Sequence, residues 1–157
     1  MRPSEIVSAS HSCLAGSIQP NLVEEFLSMS ADEQELLTLS RKLLTAIDTG
    51  DWKTYESLCD DGITCFEPEA LGQVIAGLAF HKFYFDLPST PTKPARQSTI
   101  ASPHIRLMGT SAVVSYVRVV QKLDGNGAPV SAAAMETRVW EKKAAGWKHV
   151  HFHRSPC

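Results

Sequence analysis

Three arginines fall in stretches built for β-structure: Arg118 in YVRVV, Arg138 in ETRVW and Arg154 in HFHRS. Side chains alternate faces along a strand, so residues two apart share a face. By that parity Arg138 lies with Glu136 and Trp140, and Arg154 lies with Val150 and Phe152. Arg118 is ambiguous, because Val114, Tyr116 and Val120 flank it on one face while Val117 and Val119 fill the other. A guanidinium stays charged when buried and grips carboxylates with a two-pronged fork. Adjacent strands run about 4.8 Å apart, so inward arginines on successive strands converge in one concavity. Unpaired, they would carry a heavy desolvation cost, so a carboxylate must accompany them: Glu136, a ligand or a partner chain. The bland alternative, an arginine turned outward or neutralised locally, stays open at each position.

Other residues that could do chemistry are fewer. His149, His151 and His153 alternate, which puts all three on one face of the last strand. Such spacing can hold zinc, but no acidic ligand or further cysteine/histidine pair accompanies them, so an outward or interface face without metal is expected. His81, beside Lys82 and among aromatics, suits either a general base or a packed ring. Asp124-Gly125-Asn126-Gly127 opens like a calcium loop, but Met135 stands where a bidentate glutamate belongs, so a hairpin is expected. Cys13, Cys59, Cys65 and Cys157 form no Cys-x-x-Cys pair, which points to free thiols in a reducing, cytoplasmic setting. No metal or cofactor is expected.

The elements that must position these groups are legible. Residues 1–29 read as a flexible, serine-rich leader, with NLVEEFLSM as a short helix or a lead-in to the next. Ser30 and Glu33 make a capping box, and Leu36, Leu39, Leu43 and Ile47 recur at helical spacing, widened by Leu37 and Leu44, until Gly50. Asp51 caps a second helix that is expected to stop at Asp60-Asp61-Gly62, followed by a short strand, ITCF. Pro68 starts a helical piece and AFHKFYFDL forms another, before the loop STPTKPA. Four β-type runs follow, over 96–108, 111–123, 130–142 and 147–154, with hairpin turns at Asp124–Gly127 and Ala144–Gly146. Helices first and an antiparallel meander after them predict an α+β fold. A strongly curved antiparallel sheet around the long helix would leave a pocket whose inner face need not be wholly apolar.

Composition excludes several classes. The 157 residues fit one domain, and a net charge of −2 without a basic run speaks against nucleic acid or a membrane surface as partner. No apolar stretch approaches the roughly 20 residues of a membrane span. Nor does the N-terminus carry the apolar block of a signal peptide.

From about Ser30 to the end, the chain resembles the association (hub) domain of calcium/calmodulin-dependent protein kinase II. The stretches that carry the resemblance are FEPEALG (66–72), FHKFYF (80–85), SPHIRLMG (102–109), YVR (116–118), ETRVW (136–140) and VHFHRS (150–155). The resemblance implies residues 30–157 as a hub domain with a cone-like α+β barrel, as in ketosteroid isomerase and nuclear transport factor 2. It implies assembly into a ring of dimers that multimerises kinase domains. It further implies a cavity lined by Arg118, Arg138, Arg154 and His81 that takes small carboxylates or a tyrosine-bearing kinase-linker peptide. Departures exist: nothing resembles kinase catalytic motifs, no basic amphipathic helix precedes Ser30, and Lys82 stands where arginine is usual. The loop DLPSTPTKP also lacks the tryptophan of some members.

Two functions compete: a scaffold with a carboxylate-binding cavity, and an isomerase, dehydratase or cyclase of the same fold. Catalysis would need an inward general base, for which only Glu136 and His81 offer themselves. Fixed positive charge lowers a carboxylate's pKa and weakens it as a base, so the scaffold is the expected reading, without enzyme activity. Binding is expected to fall about ten- to a hundredfold on an arginine-to-alanine change, with little cost to folding.

Overall fold

The computed structural model describes residues 28–88 and 96–157. The expected leader, including NLVEEFLSM, and the STPTKPA loop lie almost wholly outside the described residues. Helix α1 spans Ala31–Thr49, and both halves of its capping box form. Ser30 N donates to Glu33 Oε2 at 2.7 Å, and Glu33 N donates to Ser30 Oγ at 3.4 Å. Gly50 closes the helix at φ 75°, a left-handed conformation that costs glycine nothing. The apolar stripe turns Leu36, Leu37, Leu43 and Leu44 into the core, with Leu39 and Ile47 at its margin.

Asp51 caps α2 (Trp52–Leu58), its Oδ1 accepting from Thr54 N at 3.0 Å. The helix ends earlier than expected. Cys59, Asp60, Asp61 and Gly62 already belong to β1 (Cys59–Phe66) rather than to a stop before it. A 3₁₀ turn at Pro68–Ala70 follows, then a two-residue strand β2 (Ile75–Ala76) and helix α3 (Ala79–Asp86). The four long strands are β3 (Arg96–Met108), β4 (Ser111–Leu123), β5 (Pro129–Lys143) and β6 (Gly146–Pro156). In the hairpin between β4 and β5, Asp124 Oδ1 accepts from Asn126 N and Ala128 N, as the turn reading requires.

The strands form one sheet in the order β2-β1-β6-β5-β4-β3. The meander β3–β6 is antiparallel as expected, β1 pairs β2 antiparallel, and β1 joins β6 in parallel, a pairing the sequence left unassigned. Local patterns do not encode which edge an isolated early strand will find. Helix α1 lies against β3, and the core joins its leucines to Ala112, Val114, Tyr116, Trp140 and Trp147 from the sheet.

Two irregularities bend the ladder. Pairing shifts between Ala101 and His104 in β3, where Ser102 takes φ 48°. Opposite the Val139–Trp140 step of β5, the register passes from His151 to His149, leaving Val150 of β6 as an extra residue. The extra residue inverts the face pattern, so Trp147 and His149 point inward on one side of it and Phe152 on the other. The expectation that His149, His151 and His153 share one outward face is therefore wrong for His149, which is wholly buried. His151 instead pairs with Thr64 Oγ1 on β1 at 2.7 Å from its Nδ1.

Candidate functional site

Register places the charged residues. Tyr116, Glu136 and Arg154 stand opposite one another across β4, β5 and β6, with Arg138 paired to Val114 and Phe152 in the next row. A cavity of about 240 Å³ opens in front of this surface, and Arg118, Arg138, Arg154 and His81 all line it. Tyr55, Phe85 and Phe152 supply its apolar wall. Glu136, the remaining sequence-derived candidate, is 2% exposed and sits behind the arginines rather than on the wall.

Glu136 holds the network together. Its Oε2 accepts from Tyr116 Oη and from Arg138 Nη2, each at 2.7 Å, and Arg118 Nη1 lies 3.5 Å from its Oε1. Arg138 donates a second bond, from Nε to Tyr116 Oη at 2.7 Å, and stacks over the Phe152 ring at 4.4 Å. Burial pushes the Glu136 carboxyl up, but Arg138, Arg118 and the Tyr116 hydroxyl outweigh it and hold the group below its ordinary 4.5. Burial pulls Arg138 down, yet its Tyr116 and Glu136 neighbours leave it above its ordinary value.

Further carboxylates, which strand parity did not single out, complete the charge pairing. Asp48, at the end of α1, accepts from Arg118 Nη2 at 3.2 Å and Arg96 Nε at 3.1 Å. Its Oδ2 also accepts from Ser98 N at 2.6 Å. Arg154 Nη2 donates to Glu67 Oε2 at 3.2 Å and to Glu69. Arg96, Arg118, Arg138 and Arg154 thus face Asp48, Glu67, Glu69 and Glu136, charge for charge. This overturns the expectation that removing an inner arginine spares the fold. Arg138 is 1% exposed, and its loss takes the nearest cation from the buried Glu136, leaving Arg118 at 3.5 Å and the Tyr116 hydroxyl to hold that charge.

His81 is the buried residue of α3, its Nε2 3.3 Å from Glu67 Oε1 and 3.4 Å from Cys65 Sγ. These groups are close enough together to share a metal ion. Burial raises the Glu67 carboxyl, but His81 and Arg154 together bring it below its ordinary 4.5. The signal that could have exposed Glu67 and Asp48 is their place at element ends, immediately after β1 and before Gly50, where a turning chain aims side chains back inward.

A long capped helix against a strongly curved sheet, with a half-enclosed cavity between them, is an α+β fold shared with nuclear transport factor 2-like proteins. A nuclear transport factor 2-like protein from Cytophaga hutchinsonii superposes with a TM-score of 0.64, covering 82% of this chain and 100% of that one. At 21% identity this is a likeness of fold alone. The family is set by closer matches. The calcium/calmodulin dependent protein kinase II association domain matches residues 32–157, and the chain belongs to that family.

The hub homology domain of Chlamydomonas reinhardtii is 53% identical with a TM-score of 0.77, covering 81% of this chain and 99% of that one. The association domain of the C. elegans kinase is 42% identical with a TM-score of 0.74, over 80% and 95% of the two chains. The delta subunit of the rabbit (Oryctolagus cuniculus) type II kinase is 39% identical over 136 residues, 86% of this chain. The chain spans only 26% of that relative's length. Among the described residues, no helix is long and apolar enough to cross a membrane.

Proposed function

We propose that this chain is an oligomerisation scaffold: a hub that closes rings of dimers, gathers kinase chains through their linkers and binds a carboxylate in its arginine-walled cavity. The observation that carries the assembly is membership of an association-domain family over residues 32–157. The ligand is a small carboxylate, or the acidic or tyrosine-bearing side chain of a linker peptide.

The charge balance of the wall says where such a group enters. Arg118 and Arg138 are locked between buried partners, whereas the Arg154 side chain is 25% exposed and its partner Glu69 is 40% exposed. An incoming carboxylate displaces Glu69 into water, at little cost, and takes over its charge-assisted bond to Arg154. Glu67 and Glu136 do not suit proton abstraction, because both are held below 4.5, far from a working base near neutral pH.

The test is a calorimetric titration with acetate and larger monocarboxylates, beside native mass spectrometry of the intact particle. Charge-assisted bonds of about 1.5–3 kcal/mol each imply that Arg154→Ala weakens binding about ten- to a hundredfold. Glu69→Gln, which frees Arg154, strengthens it. Equal affinity in all three proteins would remove the cavity reading, and a monodisperse monomer at micromolar concentration would remove the scaffold.

A further inference from the structure

The end of β1 brings a thiol, a carboxylate and an imidazole together beside the arginine network. Cys65 points inward from β1, Glu67 follows two residues on, and α3 supplies His81. Cys65 Sγ lies 3.4 Å from His81 Nε2 and 3.8 Å from Glu67 Oε1, and His81 Nε2 lies 3.3 Å from Glu67 Oε1. Cys65 has no exposed surface, and the side chains of His81 and Glu67 are 8% and 9% exposed. We propose that Cys65, Glu67 and His81 form a binding site for a divalent transition-metal ion, zinc above all, with a fourth coordination position facing the cavity.

Geometry is the first argument. Zinc bonds of about 2.3 Å to sulfur and about 2.0–2.1 Å to nitrogen and oxygen, set tetrahedrally, hold ligand atoms about 3.3–3.6 Å apart. The three observed separations of 3.3, 3.4 and 3.8 Å fall on or just outside that range before any side chain moves. Ligand chemistry is the second. A sulfur, nitrogen and oxygen set suits zinc better than calcium or magnesium, which prefer all-oxygen shells.

Charge is the third argument. A thiolate and a carboxylate neutralise a divalent ion within the site, and with the Cys65 proton lost to solvent the loading raises the local charge by only one, since Glu67 already offsets Arg154 in the empty site. The fourth is orientation: Arg154 Nη2 holds the other oxygen of Glu67 at 3.2 Å, leaving Oε1 to face His81 and Cys65. Access comes from the cavity, which both Glu67 and His81 line. On binding, the Cys65 S–H bond breaks, its proton leaves to solvent and the sulfur electron pair goes to the ion. His81 passes from the tautomer whose Nε2–H faces Glu67 to the one with its proton on Nδ1, which frees the Nε2 lone pair for the ion. The site stands apart from the carboxylate reading, since it needs neither assembly nor an organic ligand.

The competing arrangement is a His81–Glu67 ion pair with Cys65 as a bystander, and only the metal site requires a thiolate. The experiment uses the full chain carrying Cys13→Ser and Cys157→Ser, stripped with chelator and titrated with cobalt(II), then zinc(II). Expected is one cobalt per chain with sulfur-to-cobalt charge-transfer absorption, bleached by zinc, and a melting temperature raised by zinc. Cys65→Ala abolishes the band, and Glu67→Gln weakens cobalt binding by at least the ten- to hundredfold typical of losing even an outer-shell partner. Absence of the band, or its survival in Cys65→Ala, overturns the site. Should Cys65→Ala fail to melt cooperatively, unchanged cobalt affinity in both Glu67→Gln and His81→Gln overturns it instead.

Discussion

Arg138 carries only donors, so the His149 Nε2 that lies 3.3 Å from its Nη1 has to accept. The ring is then neutral with its proton on Nδ1, aimed at Cys59 Sγ 3.7 Å away. Burial first, and the Arg138 charge second, hold His149 well below its ordinary 6.5. His151 shifts the same way, from burial and its His153 neighbour. A histidine with a depressed folded pKa takes up its proton more readily in the unfolded chain. Its stability contribution is complete above pH 6.5 and is lost as pH falls below it. Stability is therefore expected to decline from about pH 6.5 downward, by about 1.4 kcal/mol per pH unit for one such group. Below 4.5 the paired carboxylates Glu67 and Glu136 add to the loss. Denaturant melts at pH 7.5 and 5.5 check this, with His149→Gln flattening the difference; equal slopes in parent and variant would refute the assignment. At this scale the sequence disclosed Arg138 and Arg154 through parity with Trp140 and Phe152. It did not disclose Asp48, Glu67 or Cys65, because their facing depends on where an element turns rather than on its period.

Helix boundaries were readable because caps are local chemistry: Ser30, Glu33, Gly50 and Asp51 each act within four residues of themselves. The four long strands were readable for the same reason, since alternation and Gly-rich turns are short-range signals. What escaped was the extra residue in β6 and the parallel seam between β1 and β6, both set by pairing across the sheet. The Val150 bulge matters because it lets a single strand present Trp147 and His149 to the core and still turn Phe152 and Arg154 to the cavity. Deleting Val150 restores strict alternation and leaves Trp147, His149, Phe152 and Arg154 all on the inner face, so the facing survives while the local bend of the bulge is lost. The expected result is a retained cooperative thermal transition and retained near-ultraviolet circular dichroism from the tryptophans. A Val150→Ala control, which keeps the residue count, should melt close to the parent. A deletion variant that loses the cooperative transition while Val150→Ala keeps it would show that the bend itself, beyond the facing, holds the strand.

A lone domain of this kind leaves conspicuous apolar side chains in water. On and before α3, Leu71, Val74, Phe83, Tyr84 and Leu87 are all exposed, Leu71 to 88% and Phe83 to 61%. On the long strands Leu123, Val130 and Met135 of β4 and β5 are exposed, and so is Met108 at the other end of the sheet. Single exposed leucines mean little, but two separate groups suit a chain that meets copies of itself at more than one surface. A closed ring of dimers needs two such contacts, one within the dimer and one between dimers. Each contact buries apolar area worth about 25 cal/mol per Å², so an aspartate at its centre both forfeits that gain and carries a charge into the interface. Phe83→Asp and Met135→Asp are therefore each expected to lower the mass of the native particle. Unfolding should be affected little, because neither side chain contributes to the interior of the single domain. Native mass spectrometry at matched micromolar concentrations, with circular dichroism to confirm the fold, measures both effects. A variant that stops at a dimer places its residue between dimers, and one that stops at a monomer places its residue within the dimer. Particles of parental mass from both variants would place the assembly contacts elsewhere on the domain.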